Sequence, residues 1–384
     1  MIFFSNLFIT QNRGFDYAGE LAIFMASTSF VAIIVGMRWD IEILTKSIDL
    51  AGKNILNGAF SIILLSSVLL LLYLATSLIQ QNINYVFYAI VFSAFFLAFY
   101  ELLSNFLLKL NKINFFLVFR CLPYILLMLF SSTQITLITS EIAWFCSILI
   151  SFLMLVTISW GQLIRLKLFH LESLTSRIHA LYSKIIPMIS ALITNSIILL
   201  WLLIIHRNFG EEIVGIWVNL YRIFPLPFAL IGAVFLPFYL HSLSSKSSQK
   251  KQILKIGELH TAMLVLFLAC LAISFFYGNE LFQLLTGSKQ SIQPTAIYCT
   301  LGIGLFQYSL LNWRDLFQSI GREKIFLSVI AIQPISAIFL YFSYIQFSFI
   351  GLLLIILAIS AFSYFMALIL IVYLYYSPLD SQVS

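Results

Sequence analysis

Charge is what this sequence has least of: Asp, Glu, Lys and Arg make up 9% of its 384 residues, where a soluble domain carries roughly 25% to solvate its surface. Hydrophobic residues make up 61% and the mean hydropathy is +1.03, so water is not the main solvent of this fold. Cysteine is scarce as well. Cys121, Cys146, Cys270 and Cys299 all lie in apolar runs, with no CxxC spacing and no histidine pair beside them, which argues against a disulfide framework or a zinc site. No metal and no cofactor is expected. The opening MIFFSNLFIT has neither a basic n-region nor a small-residue cleavage site after it, and it is not read as a secretory signal. A formal charge of +6 suggests nucleic acid only when basic residues form a face on a soluble domain. Here they sit in short strips between apolar runs, so no nucleic-acid partner is expected and the strips are read as topology signals.

What fills the chain instead is long apolar segments. A helix rising about 1.5 Å per residue needs roughly 20 apolar residues to cross a hydrocarbon core about 30 Å thick. Eleven segments reach that length, near 17–37, 58–78, 85–107, 115–133, 141–160, 183–205, 214–240, 258–277, 295–313, 325–343 and 349–376. Strands of a transmembrane barrel alternate in polarity, and runs such as Ile62 to Leu72 do not. The expected class is therefore all-α, a polytopic membrane protein. Every connection is short, the longest lying between Gly161 and Tyr182. A membrane glycosyltransferase, polysaccharide polymerase or acyltransferase is expected to carry a sizeable loop with paired carboxylates, an acidic metal motif or basic clusters, and none is visible, so the chain is not read as an enzyme.

Lys and Arg concentrate in cytoplasmic loops. One set of alternate loops holds Arg38, Lys46, Lys53, Lys109, Lys112, Arg165, Lys167, Arg177, Lys184, Lys246, Lys250, Lys251, Lys255, Arg314, Arg322 and Lys324, which is 16 residues, and the other holds only Arg13, Arg207 and Lys289. This split puts the C-terminus inside and the residues before the first span outside. Ile2 to Thr10 is too short to span but reads as the tail of a helix, and a further helix is expected upstream. With it there would be twelve, divided six and six by the loop 166–182: an N-terminal lobe at 1–165, five spans in this chain, and a C-terminal lobe of six spans at 183–384. An internal repeat follows as an expectation. Offsetting by 196 residues places Gly19 on Gly215 and Gly36 on Gly232, each pair bracketing one span and followed by a charged cytoplasmic loop. Parallel repeats of this kind relate the halves of many transporters.

Three stretches carry a family resemblance: RGFDYAGELAIFMASTSFVAIIVGMRWDIEIL (13–44), FGEEIVGIWVNLYRIFPLPFALIGAVFLPFYLHSLS (209–244) and LLNWRDLFQSIGREKIFL (310–327). They resemble the second helix, the eighth helix and the tenth-to-eleventh helix turn of the polysaccharide transporter (O-antigen flippase) family of the multidrug/oligosaccharidyl-lipid/polysaccharide exporter superfamily. The departure from the family is the absent first helix. The resemblance implies two pseudo-symmetric bundles around a central cavity that move undecaprenyl-diphosphate-linked oligosaccharide from the cytoplasmic to the periplasmic leaflet of a bacterial inner membrane. The implied partners are that glycolipid, the bilayer, a coupling ion (proton or sodium) and other polysaccharide assembly proteins.

Polar residues inside spans are the candidate site, because an Arg at mid-membrane costs about 2.5–3.5 kcal/mol on insertion scales and usually faces protein or a wet cavity. Arg222 shares a helical face with Gly215, Asn219, Pro225, Ala229 and Gly232, opposite Ile216, Leu220, Ile223, Leu230 and Val234. It is read either as a cavity-lining cation that binds phosphate oxygens bidentately, or as part of a helix-packing face, bonded to backbone opened by Pro225 and Pro227. Glu101 and Arg120 lie nearly equidistant from the turn at Leu110 to Lys112 and are expected at similar depth. They are a structural ion pair, or Glu101 is a proton or sodium site and Arg120 part of the cavity. Thr194 and Asn195 line a cavity or bond across helices. His206 and Arg207 sit at the outer rim, where a solvated role is the default. A drug efflux pump of the same superfamily is the alternative function, and it calls for an acidic cavity. Two arginines against one deep carboxylate, Glu101, favour anionic cargo.

Overall fold

A computed structural model describes residues 2–40, 43, 48–80, 85–110, 112–132, 139–165, 174–228, 249–319, 323–343 and 345–376. Among them the elements are α-helices: α1 (Ile2–Gly36), α2 (Ile48–Gln80), α3 (Tyr85–Lys109), α4 (Ile113–Ser132), α5 (Ser140–Arg165), α6 (Leu174–Tyr182), α7 (Ile185–Phe209), α8 (Glu211–Ile223), α9 (Gln249–Thr286), α10 (Pro294–Ser319), α11 (Glu323–Ile330), α12 (Ile332–Phe342) and α13 (Phe349–Tyr376). Nine helical stretches of the described residues are long and apolar enough to cross a membrane. The protein is an all-helical, multi-pass membrane protein.

Two of the eleven expected spans are not among the nine. The stretch 214–240 runs into residues 229–248, outside the described residues. The stretch 295–313 does form a helix, α10, whose side chains are described without a break only over 294–310. The stretch 166–182, expected as an inter-lobe loop, carries a helix, α6. At the start, α1 is two helices merged across Gly14 (φ 87°, ψ 176°). Ile2 to Arg13 is thus helical and separate from the span that follows.

By packing the chain divides into one unit of Met1–Leu203 with Glu211–Gly215, and another of Ile204–Gly210 with Ile216–Ser384. In the first unit α3 is central, touching α1, α2, α4 and α5. Trp39, Ile62, Ala98, Leu102 and Phe106 form one core. Leu21, Phe24, Leu127, Trp144 and Ile148 form a second, and Tyr100, Leu107, Phe119 and Leu155 a third. Lipid tails are as apolar as leucine, so such helices gain their association energy from close packing rather than from escaping water.

The tightest packing of this unit joins Phe15–Gly19 of α1 to Glu211–Gly215 of α8. A Cβ on Gly19 would collide with the carbonyl oxygen of Glu211, and a Cβ on Gly215 with the carbonyl oxygen of Phe15. Gly19 and Gly215 are the pair matched by the 196-residue offset, and Phe15 and Glu211 are related by the same offset. The contact is therefore its own image under that offset. Gly232, the partner of Gly36, lies outside the described residues.

In the second unit α10 packs against α9 and α13, and its glycines set the approach. Gly302 leaves room for Leu357, and a Cβ on Gly304 would strike the ring of Pro225. Prolines break two helices here. Pro225 has no N–H for the Tyr221 carbonyl, and α8 stops at Ile223, with a short helical turn resuming before Phe228. Pro334 likewise removes the bond to the Ile330 carbonyl, and the stretch Lys324–Phe342 is split at Ala331 into α11 and α12.

Candidate functional site

In the first unit the site begins at the C-terminal end of α1. Met37 (φ 46°) and Arg38 (φ 60°) both take left-handed backbone conformations, which cost L-residues with a Cβ roughly 1–2 kcal/mol each. Burial of Met37 and Trp39 holds this turn, and it brings Arg38 and Asp40 to α3. Asn105 Nδ2 donates to the Asp40 carbonyl at 3.2 Å, and Arg120 Nη2 donates to Asn105 Oδ1 at 3.4 Å. Glu101, one turn before Asn105, lies in the field of Asp40, Arg120 and Arg38. The cluster holds two carboxylates and two guanidinium groups, so its formal charge is near zero.

The α3–α4 hairpin sets the depth of these groups. Tyr100 donates its hydroxyl to the carbonyl of Phe119, fixing the register that brings Arg120 to Asn105. Two cavities meet Glu101. One of about 20 Å³ is lined by Gly36, Arg38, Asp40, Ala98 and Glu101 among others. The other, about 290 Å³, is lined by Leu97, Tyr100, Glu101, Arg120, Cys121, Pro123, Tyr124 and Trp144. Glu101 and Arg120 thus share a cavity with aromatic walls, and the Arg120 guanidinium also lies over Phe116, 5.4 Å from the ring centroid.

In the second unit Asn219 is buried, and Arg222 has its Nη1 atom buried. The Arg222 charge acts on the hydroxyl of Tyr308 on α10. Tyr221 donates to Gln307 Oε1 and stacks on Trp217 with centroids 5.2 Å apart. On the face opposite Arg222, Ile216, Leu220 and Ile223 are buried too, so this part of α8 is enclosed on both sides. Ala229 and Gly232 of the expected polar face lie outside the described residues. Thr194 and Asn195 belong to the first unit; Thr194 donates to the Ser190 carbonyl at 2.9 Å and Asn195 to the Ala191 carbonyl at 2.9 Å, both within α7.

Several polar residues of these sites were not singled out by sequence. Asp40 and Asn105 had only their closeness to Arg38 and Glu101 as a signal, and the Gln307–Tyr308 pair only its polarity inside an apolar run. Glu20 is a second carboxylate within a span; it accepts a hydrogen bond from Ser140 Oγ at 3.2 Å and lies near Glu211.

No protein-family model and no curated protein matches the sequence. Solved structures do match. A multidrug resistance MATE family transporter of the MOP superfamily, in its inward-facing conformation, matches with a TM-score of 0.65 at 14% identity, covering 97% of this chain and 94% of that one. Lipid II flippase MurJ in an inward closed conformation matches with a TM-score of 0.65 at 12% identity, covering 96% and 84%. An outward-facing MATE family transporter of the MOP superfamily matches with a TM-score of 0.57 at 13% identity, covering 97% and 94%. The chain therefore has the fold shared by these transporters, none of which is an enzyme.

Proposed function

We propose that this protein carries undecaprenyl-diphosphate-linked oligosaccharide, an O-antigen or capsule repeat unit, from the cytoplasmic to the periplasmic leaflet of a bacterial inner membrane. On this reading it belongs with the polysaccharide transporters, its C-terminus is cytoplasmic, and two helical lobes alternate in access around the cargo. The observation that carries the reading is Arg222: a guanidinium with a buried nitrogen, on an enclosed stretch of helix, beside Tyr308. A guanidinium binds phosphate oxygens through two parallel N–H donors, and inside a span it is expected to face protein or a wet cavity. The test is complementation of a flippase-null strain. Arg222→Ala is expected to abolish surface polysaccharide while its level in the membrane stays normal, and Arg222→Lys to keep part of it. Full surface polysaccharide with Arg222→Ala would remove Arg222 from the site.

A second reading rests on the cavity around Glu101, whose aromatic walls Tyr100, Tyr124 and Trp144 suit an organic cation. That supports drug efflux, or a coupling ion held at Glu101. Arg120 on the same cavity opposes a free cation, and for that reason the anionic cargo is preferred.

A further inference from the structure

The second unit holds an ionisable group, at the start of a membrane-spanning stretch, that neither reading uses. His260 of α9 shares a hydrogen bond between its Nε2 and the hydroxyl of Tyr364 on α13. Its ring centroid lies 5.3 Å from that of Trp313 on α10 and 5.3 Å from that of Tyr364. Trp313 and Tyr364 stack on one another at 4.8 Å and both are buried, and Phe306 of α10 also meets Tyr364 at 5.0 Å. One imidazole thus ties together three helices that pack on one another. Its other nitrogen, Nδ1, is buried and has no hydrogen-bond partner among the described residues. Of the helices packed on α9, α13 carries no charged residue. α10 carries Arg314 and Asp315, whose side chains, like that of Lys255 on α9, lie outside the described residues. Glu258 on α9 is exposed and, two residues from His260, points away from it round the helix. Among the described residues the titratable group that touches the imidazole is Tyr364.

Histidine is the side chain whose ordinary ionisation falls near neutral pH, and a buried polar atom without a partner costs free energy. With the proton of the neutral ring on Nε2 and donated to the Tyr364 oxygen, Nδ1 carries the free lone pair. A proton added there gains no hydrogen bond while the three rings are in contact, and water supplies one once α9 parts from α10. We propose that His260 is a proton-binding site: it is neutral while α9 packs on α10 and α13, and it takes one proton from water on Nδ1 as that packing opens. A ligand that binds one of two states shifts the balance toward that state, so a fall in pH opens this end of the bundle. Proton binding here does not depend on the cargo; its use as the coupling ion of transport rests on the transporter reading above.

The test is hydrogen–deuterium exchange of the full chain in phosphatidylcholine nanodiscs, without cargo, at about pH 7.5 and about pH 5, corrected for the intrinsic pH dependence of exchange. An opening that takes up one proton gains roughly tenfold per pH unit below about 6.5. Protection of amides 257–264 is therefore expected to fall about tenfold or more between the two conditions, while that of amides 277–284, at the other end of α9, stays within about twofold. His260→Gln keeps an amide donor for Tyr364 and is expected to show equal protection at both pH values, and Glu258→Gln is expected to keep the fall. Equal protection of 257–264 at the two pH values in the unaltered protein, a fall that persists in His260→Gln or disappears in Glu258→Gln, or an equal loss along the whole of α9 would overturn the proposal.

Discussion

Gly19 and Gly215 carry the most sharply defined single-residue consequence. A methyl group at Gly215 would run into the Phe15 carbonyl, so Gly215→Ala is expected to cost about 1–3 kcal/mol, as overpacking does, and to lower the melting temperature of the detergent-solubilised protein. Gly161 and Gly257 have open space around the position of a Cβ. Alanine at those two helical sites is expected to leave stability unchanged or raise it by about 0.5–1 kcal/mol; equal melting temperatures for all three variants would contradict the crossing. At Glu101 the expectation concerns coupling. Glu101→Gln and Arg120→Gln made together are expected to cost less than the sum of the two alone, by about 1 kcal/mol or more, because each single change leaves the other charge unbalanced beside Asp40 and Arg38. Strict additivity in a double-mutant cycle would show that the two residues do not interact. The closeness of Glu101 and Arg120 in depth was legible from their spacing about the 110–112 turn. The arrival of Arg38 and Asp40 was not, because it depends on two left-handed residues, Met37 and Arg38, neither of which is a glycine.

At the scale of the helix, the break after Ile223 is a matched pair of residues on two elements. Pro225 ends α8, and Gly304 gives α10 the space to receive its ring. Pro225→Ala leaves a void against Gly304 and is expected to cost about 1–3 kcal/mol. Adding Gly304→Ala is not expected to recover that loss, because alanine at 225 keeps the Cβ that the new methyl would strike. A double mutant as stable as Pro225→Ala alone would argue that the two do not meet. The prolines signalled a break, and long apolar runs signalled the helices, because hydropathy is a property of composition that survives ignorance of neighbours. The partner of each break was hidden. Nothing local in GIG at 302–304 names Pro225 as what those glycines face, and the 196-residue offset paired Gly19 with Gly215 without saying that the two would touch.

For the molecule as a whole, the proposed orientation rests on 16 basic residues in one set of loops against 3 in the other. Reporter fusions at residue 248 and at the C-terminus are expected on the cytoplasmic side and a fusion at residue 289 on the opposite side; both ends of the chain on one face would break the scheme. The fold itself was within reach of the sequence, since it depends on the number and length of apolar helices, and the likeness to MATE and MurJ structures agrees with it. Cargo was not, because it depends on a few charges in a large apolar frame. The central claim is that the charge at Arg222 selects an anionic diphosphate. It is tested most directly by equilibrium binding of a lipid-diphosphate oligosaccharide to the purified protein and to Arg222→Ala. The account predicts binding by the former, a loss of about tenfold or more in the latter, as for a charge-assisted hydrogen bond, and no competition from a lipophilic cation. Tight uptake of the lipophilic cation with indifference to the diphosphate sugar would contradict it.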